Sequence, residues 1–253
     1  MEQFTTLNSN KDYVRSLQQE VGATADGIYG PNTHRLVKAY YGMPVMIHMG
    51  KIIPIDSPLD INLSAPLYEL DDGTKNWYTR KSDPDTICVH WGGLNSRHCY
   101  NVFNMARGRH VSSHFLIGKN HKTGEFEILQ CLDTGLVAYH AGKFNKYSIG
   151  VDICMHPDLR YWEKTQKWYP DAYKETMQNV DPRVDGKEIA MISDNFSHLC
   201  RDFLQSLVEA TELDEKPVCK SFDVMSVKEA AKYSVVGHHN ISAKKWDVIP
   251  WAE

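Results

Sequence analysis

No stretch of this chain approaches the roughly 20 consecutive apolar residues that a membrane-spanning helix needs, so membrane insertion is not expected. Strong charge is missing as well. The formal net charge is −4, too small to imply attraction to nucleic acid or to an anionic membrane surface. The opening residues, Met1-Glu2-Gln3-Phe4-Thr5-Thr6-Leu7, have neither a basic start nor an apolar core. No secretory leader is therefore expected, and synthesis in a cytoplasm is; action outside it would need another route out. Cys-x-x-C pairs are also lacking among the six cysteines, Cys88, Cys99, Cys131, Cys154, Cys200 and Cys219. A disulfide framework is not expected in a chain of this size made in a reducing compartment, and most of these thiols are expected to pack as small buried apolar groups.

What is present is an ordinary globular composition, 42% hydrophobic and 24% charged over 253 residues, enough for one large domain or two smaller ones. Asn10 can cap a helix starting near Lys11, with Val14, Leu17 and Val21 on one face. Gly22 ends it. A rigid turn, Asp26-Gly27-Ile28-Tyr29-Gly30-Pro31, leads into a second helix with Leu36, Val37 and Tyr40 on its apolar face. Residues 1–9 read as loosely ordered. Residues 1–45 thus form a small all-α unit. The frequent Met, Ile and Pro of residues 46–63 discourage a helix and predict an extended linker packed on its neighbours.

Residues 64–253 read as an α/β domain with a mixed central sheet flanked by helices. Thr86–Trp91, Ser113–Ile117, Phe126–Gln130, Ser148–Ile153 and Val235–Val236 are its expected strands, a helix lies near Arg97–Arg107, and a long amphipathic helix is expected from Ile189 to about Glu209. Residues 156–187 are a polar insertion with no assigned form.

Near the C-terminal end, Gly237-His238-His239-Asn240-Ile241 follows a short strand and leads to Lys245-Trp246-Asp247. A histidine at a strand end, a lysine and an aspartate on one rim suit metal-assisted hydrolysis. Catalytic zinc takes three protein ligands and keeps one position open. His238 and Asp247 offer two of these, and His90, at the end of an apolar strand and followed by Gly92-Gly93, is the best third. Lys245 lies two residues before Asp247, which puts both on one side of an extended loop; there an ammonium would stabilise an oxyanion.

Five segments, in order, resemble motifs of the zinc-dependent N-acetylmuramoyl-L-alanine amidases, the group that includes phage endolysins and peptidoglycan-recognition proteins. They are Ile87-Cys88-Val89-His90, Ser112-Ser113-His114-Phe115-Leu116-Ile117, Tyr139-His140-Ala141-Gly142, Ser148-Ile149-Gly150-Val151-Asp152, and Gly237-His238 with Lys245-Trp246-Asp247. The resemblance implies one Zn²⁺ held by His90, His238 and Asp247, and Lys245 at the oxyanion. It implies Asp152 as proton shuttle, although the family has the longer glutamate there. His114 and His140 would line the substrate site. Cys88, which shares a strand face with His90, is expected in the core, and His239 is expected to be a neighbour of the site and not a ligand.

Leu17-Gln18 with Asp26-Gly27-Ile28-Tyr29-Gly30-Pro31-Asn32-Thr33 resembles a small helical peptidoglycan-binding module often fused to wall-degrading enzymes. Together the resemblances imply hydrolysis of the amide between N-acetylmuramic acid and L-alanine in bacterial peptidoglycan, with the wall as partner and a phage endolysin as the setting. A cytosolic muropeptide-recycling amidase and a non-catalytic peptidoglycan receptor are the rival readings.

Overall fold

A computed structural model describes residues 5–63, 74–92, 95–105, 110–155, 173–178 and 188–245. Three helices come first: α1 (Thr5–Ser9), α2 (Lys11–Glu20) and α3 (Pro31–Tyr41). Residues 5–9 hold more order than their sequence suggests, because Leu7 is fully buried and draws α1 onto the core. Asn10 caps α2 by accepting from the Tyr13 N–H at 3.3 Å. Tyr40 turns outward, 54% exposed, and leaves Thr33 and Val37 as the buried face of α3.

The turn between α2 and α3 explains its own motif. Gln18, 1% exposed, donates through its side-chain amide to Asp26 Oδ1 (2.7 Å), Ile28 O (3.1 Å) and Thr33 Oγ1 (3.2 Å). Its Oε1 accepts from the Gly27 N–H at 2.9 Å. Gly27 has φ +79°, a conformation glycine adopts without strain. The Gln, Asp, Gly and Thr of the pattern are therefore committed to holding the loop.

Residues 46–63 do more than link. Together with Val45 they form a hairpin, β1 (Val45–His48) and β2 (Lys51–Pro54), and an edge strand, β3 (Ile61–Asn62). The hairpin is clamped from both sides. Tyr13 on α2 accepts from the Ile52 N–H at 2.8 Å. On the other side Gln130 accepts from the Ile47 N–H at 2.8 Å and donates to the Ile47 carbonyl at 2.6 Å. Asp133 and Thr134 accept from the Gly50 and Met49 N–H groups at the turn. Gln130 is 3% exposed, so Gln130→Leu leaves the Ile47 N–H and carbonyl without these partners in a buried setting. A loss on the order of 3 kcal/mol is expected, read as a lower urea midpoint at unchanged m-value.

The remaining elements are β4 (Trp77–Thr79), β5 (Thr86–Trp91), α4 (Ser96–Phe103), β6 (Phe115–Lys119), β7 (Phe126–Gln130), β8 (Leu136–Ala138), a 3₁₀ turn (Gly142–Tyr147), β9 (Ser148–Cys154), β10 (Tyr173–Gln178), β11 (Glu188–Ile192), α5 (Asp194–Ala210), α6 (Val227–Ala230), β12 (Val235–Gly237) and a 3₁₀ turn at His238–Asn240. The fold is α/β. Its six-stranded mixed sheet runs β12-β5-β9-β6-β7-β3, with only the β6–β7 pair antiparallel.

One long helix expected from Ile189 onward is divided in two. Residues 188–192 pair with β10, and the helix begins at Asp194, capped by Ser193 accepting from the Phe196 N–H at 3.3 Å. A short apolar run such as Ile189-Ala190-Met191-Ile192 suits either element, and the pairing with β10 decides. Among the described residues no helix is long and apolar enough to cross a membrane.

Alternation along the strands splits the sheet into two unlike faces. Ile87, Val89, Phe115, Ile117, Ile149, Val151, Ile153 and Val235 pack with α5, the hairpin and α2–α3 in one apolar core. The opposite face carries Cys88, His90, Gly150, Asp152 and Cys154, with the chemistry-bearing groups concentrated where β5, β9 and β12 end.

Candidate metal centre

Strand pairing alone collects the site. β5 and β9 run in parallel with His90 beside Asp152 and Cys88 beside Gly150. β12 lies on the other side of β5, Gly237 beside Val89, so the next residue, His238, arrives at His90. Carboxyl ends of parallel strands are where open α/β sheets form their ligand crevices. His90, Asp152 and His238 are buried, at 5%, 8% and 8% exposed.

The histidines form a continuous hydrogen-bonded row. His90 Nδ1 lies 2.9 Å from His238 Nδ1, and His90 Nε2 lies 2.9 Å from His140 Nδ1. His140 Nε2 lies 3.2 Å from Ser148 Oγ, and that hydroxyl donates to the Phe144 carbonyl at 3.1 Å. Burial, reinforced by His90, His114 and His238 nearby, holds the His140 pKa well below its ordinary value. The neutral imidazole is the form that binds metals.

His114 is fixed differently. Its Nε2–H donates to the Leu136 carbonyl at 3.0 Å, and its Nδ1 accepts from the Gly150 N–H at 2.9 Å. Burial, with the Arg80 charge second, pushes its pKa down to about 3. With both nitrogens on the backbone and the ring fully buried, His114 braces β6 against β8 and β9 and offers no ring nitrogen to a substrate. The expected substrate contact is thus not provided by the ring in this arrangement.

Gly150 explains another motif position. A Cβ there would stand 2.8 Å from His140 Cγ and 2.9 Å from Ser113 Oγ, so only glycine lets the His140 ring approach β9 this closely. Arg80, 8% exposed, had no signal in the sequence beyond its charge. It donates to the carbonyls of Thr134 (2.9 Å), Lys146 (2.7 Å) and Ser148 (2.8 Å), tying β8, the 3₁₀ turn and β9 together beneath the site. Burial pushes its pKa down to about 10.

Two of the three expected zinc donors, the His90 and His238 nitrogens, stand close to the spacing that zinc needs. Zn–N bonds of about 2.0–2.1 Å in a tetrahedron separate two ligand nitrogens by roughly 3.3 Å, and the His90 and His238 Nδ1 atoms face each other at 2.9 Å. A second grouping also has metal-like spacing: one ligand atom each from Cys88, His90 and His140, all within 4.8 Å of one another. Cys88, however, packs with Phe144, Cys219, Ala230 and Val236 in an apolar cluster. All six cysteines are buried and none is in a disulfide.

Of the other expected site residues, Lys245 is exposed and its N–H donates to the Ser242 carbonyl at 3.0 Å. Asp247, the expected third ligand, lies outside the described residues. The ring that meets His90 is that of His238, whereas the His239 ring lies 6.2 Å from Phe222.

Residues 80–183 match a family model described as N-acetylmuramoyl-L-alanine amidase. No curated protein and no solved structure matches the chain. The matched segment holds His90, His114, His140 and Asp152; His238, Lys245 and Asp247 lie beyond it.

Proposed function

We propose that the protein is a zinc-dependent N-acetylmuramoyl-L-alanine amidase that cleaves the amide between N-acetylmuramic acid and L-alanine in peptidoglycan. The observation that carries the reading is the His90–His238 pair, with nitrogens 2.9 Å apart at the ends of adjacent parallel strands and Asp152 on the next strand. The match of residues 80–183 to the amidase family model supports the same reaction.

His90, His238 and Asp247 would hold the metal. When bound, zinc supplies Lewis acidity, polarising a carbonyl and acidifying water to a pKa of about 7. Asp152 is the proton carrier in this reading, taking a proton from the attacking water and returning it to the leaving amine. The shorter Asp, in place of the family's glutamate, is compatible with that role because β9 pairs it directly beside His90. Lys245 supplies positive charge at the rim for the developing oxyanion. His140 and His114 are support residues, not substrate contacts.

The setting we infer is a phage endolysin, with residues 1–45 as a wall-binding unit, residues 64–253 as the catalytic domain, and synthesis in the host cytoplasm before action on the wall. Wall attachment distinguishes this from a muropeptide-recycling enzyme, which acts on soluble fragments.

Mass spectrometry of digested sacculi tests the reaction. Free stem peptides beside intact glycan are expected, and cleaved glycan would rule the amidase reading out. Asp152→Asn should lower turnover by about 10²-fold or more, and near-wild-type turnover would remove Asp152 from the mechanism.

A further inference from the structure

We propose that His140 and Ser148 form a positioning pair that protonates His90 on Nε2 and so presents its Nδ1 to the metal. The inference rests on the reading of His90 as a zinc ligand, and it concerns which of two nitrogens binds and what decides it.

The argument is one of donor arithmetic. A neutral imidazole has one N–H and one acceptor nitrogen, and a serine hydroxyl has one hydrogen. Ser148 spends its hydrogen on the Phe144 carbonyl at 3.1 Å. It must therefore accept from His140, whose Nε2 lies 3.2 Å away. With Nε2 protonated, His140 Nδ1 is an acceptor, and the only hydrogen that can fill the 2.9 Å gap to His90 is on His90 Nε2. His90 Nδ1 is then unprotonated and faces His238 Nδ1 at 2.9 Å. One hydroxyl, oriented by one carbonyl, sets the polarity of the whole row.

The row is rigidly seated. Arg80 holds the Ser148 and Lys146 carbonyls, and Asn145 Oδ1 accepts from the N–H groups of His140 (3.1 Å) and Ala141 (2.5 Å). The absent side chain of Gly150 admits the His140 ring. Both His140 nitrogens are occupied in this arrangement, so His140 acts through His90 and does not replace it as a ligand. Metal-ligating histidines usually give their second N–H to such an acceptor, and losing the acceptor weakens metal binding or activity about 10–100-fold.

The test uses the full chain and two readouts that do not depend on turnover. Long-range ¹⁵N–¹H correlation spectra of the metal-free protein, with His90 assigned by its loss in His90→Gln, report the protonated nitrogen. Protonation at Nε2 is expected in the wild type and its loss in His140→Phe. Zinc affinity by competition with a chromophoric chelator should fall about 10–100-fold in His140→Phe, with stoichiometry unchanged. His140→Gln, which can accept from His90 and donate to Ser148, should recover most of that affinity, and Ser148→Ala should fall between the two.

Protonation of His90 at Nδ1 in the wild type would overturn the proposal, as would wild-type affinity in His140→Phe. So would a loss of zinc stoichiometry in His140→Phe equal to that of His90→Ala, which would make His140 a ligand. Should the Phe variant fail to fold by circular dichroism, the Gln and Ala variants decide on the same criteria. If the wild type binds no zinc, the functional reading fails, while the spectra still decide the polarity of the row.

Discussion

His90→Ala is expected to eliminate stoichiometric zinc binding and to reduce amide hydrolysis by about 10³-fold or more. Metal activation of carbonyl and water supplies several kcal/mol of transition-state stabilisation, and each 1.4 kcal/mol is a factor of ten. The effect should exceed that of any other single substitution on the site face, because His90 is where two contacts converge: His238 at one ring nitrogen and His140 at the other. The variant also tests the alternative donor set. His90 belongs to both groupings, whereas Cys88 belongs only to the one with His140. Cys88→Ala is therefore the discriminating partner, expected to keep zinc and activity because Cys88 packs among apolar side chains. Zinc measured by mass spectrometry of the purified variants, beside turnover on sacculi, checks both. Retained hydrolysis in His90→Ala would end the zinc reading, and loss of zinc in Cys88→Ala would move the metal to the second set.

How far the sequence reached depended on the range of the interaction. The strand ending in His90 was legible as a nearly continuous apolar run and the one carrying Asp152 as an alternating run, and parallel pairing then places the two residues side by side. His238 was legible only through the joint pattern of the five segments, since a single histidine after a short strand is more often a surface or core residue; its ring lies beside His90. The roles of His114 and His140 were not, since motif position says that a residue is near a site and not which way its nitrogens are spent. Only the tertiary partners show this, the Leu136 carbonyl and Gly150 N–H for one and the Ser148 hydroxyl for the other. Arg80 was invisible for the same reason: its three acceptors are backbone carbonyls 54 to 68 residues away, which leave no pattern in side-chain identity. The hairpin at Val45–Pro54 resembles a linker in sequence because prolines and methionines disfavour a helix without indicating what the extended chain pairs with.

Deleting residues 1–63 is expected to abolish cooperative folding of the remainder, and not to release an active catalytic fragment. A tethered wall-binding unit would be separable, since a flexible linker adds only effective concentration. This chain is joined differently. Leu7, Val14, Leu17, Tyr29 and Val37 of the helical unit share one continuous core with Ile87, Val89, Phe115, Ile149 and Val151 of the sheet and with Phe203 and Leu207 of α5. Lys38 on α3 pairs with Asp60 at 2.5 Å, just before β3, and β3 is the outer strand of the six, with Ile61 beside Ile128. Ser206 on α5 donates to the Asp56 carbonyl. Removing the segment strips the cover from one sheet face and leaves β7 as an unpaired edge, an aggregation hazard. Each buried aliphatic side chain contributes about 1.5–3 kcal/mol, so uncovering a handful is comparable to the roughly 5–15 kcal/mol by which a domain is stable. The expected result is an insoluble fragment, or one without a sigmoidal melt by circular dichroism. A soluble fragment 64–253 that melts cooperatively and hydrolyses muropeptides at the full-length rate would show instead that the helical unit is an appendage, whatever it shares with the core.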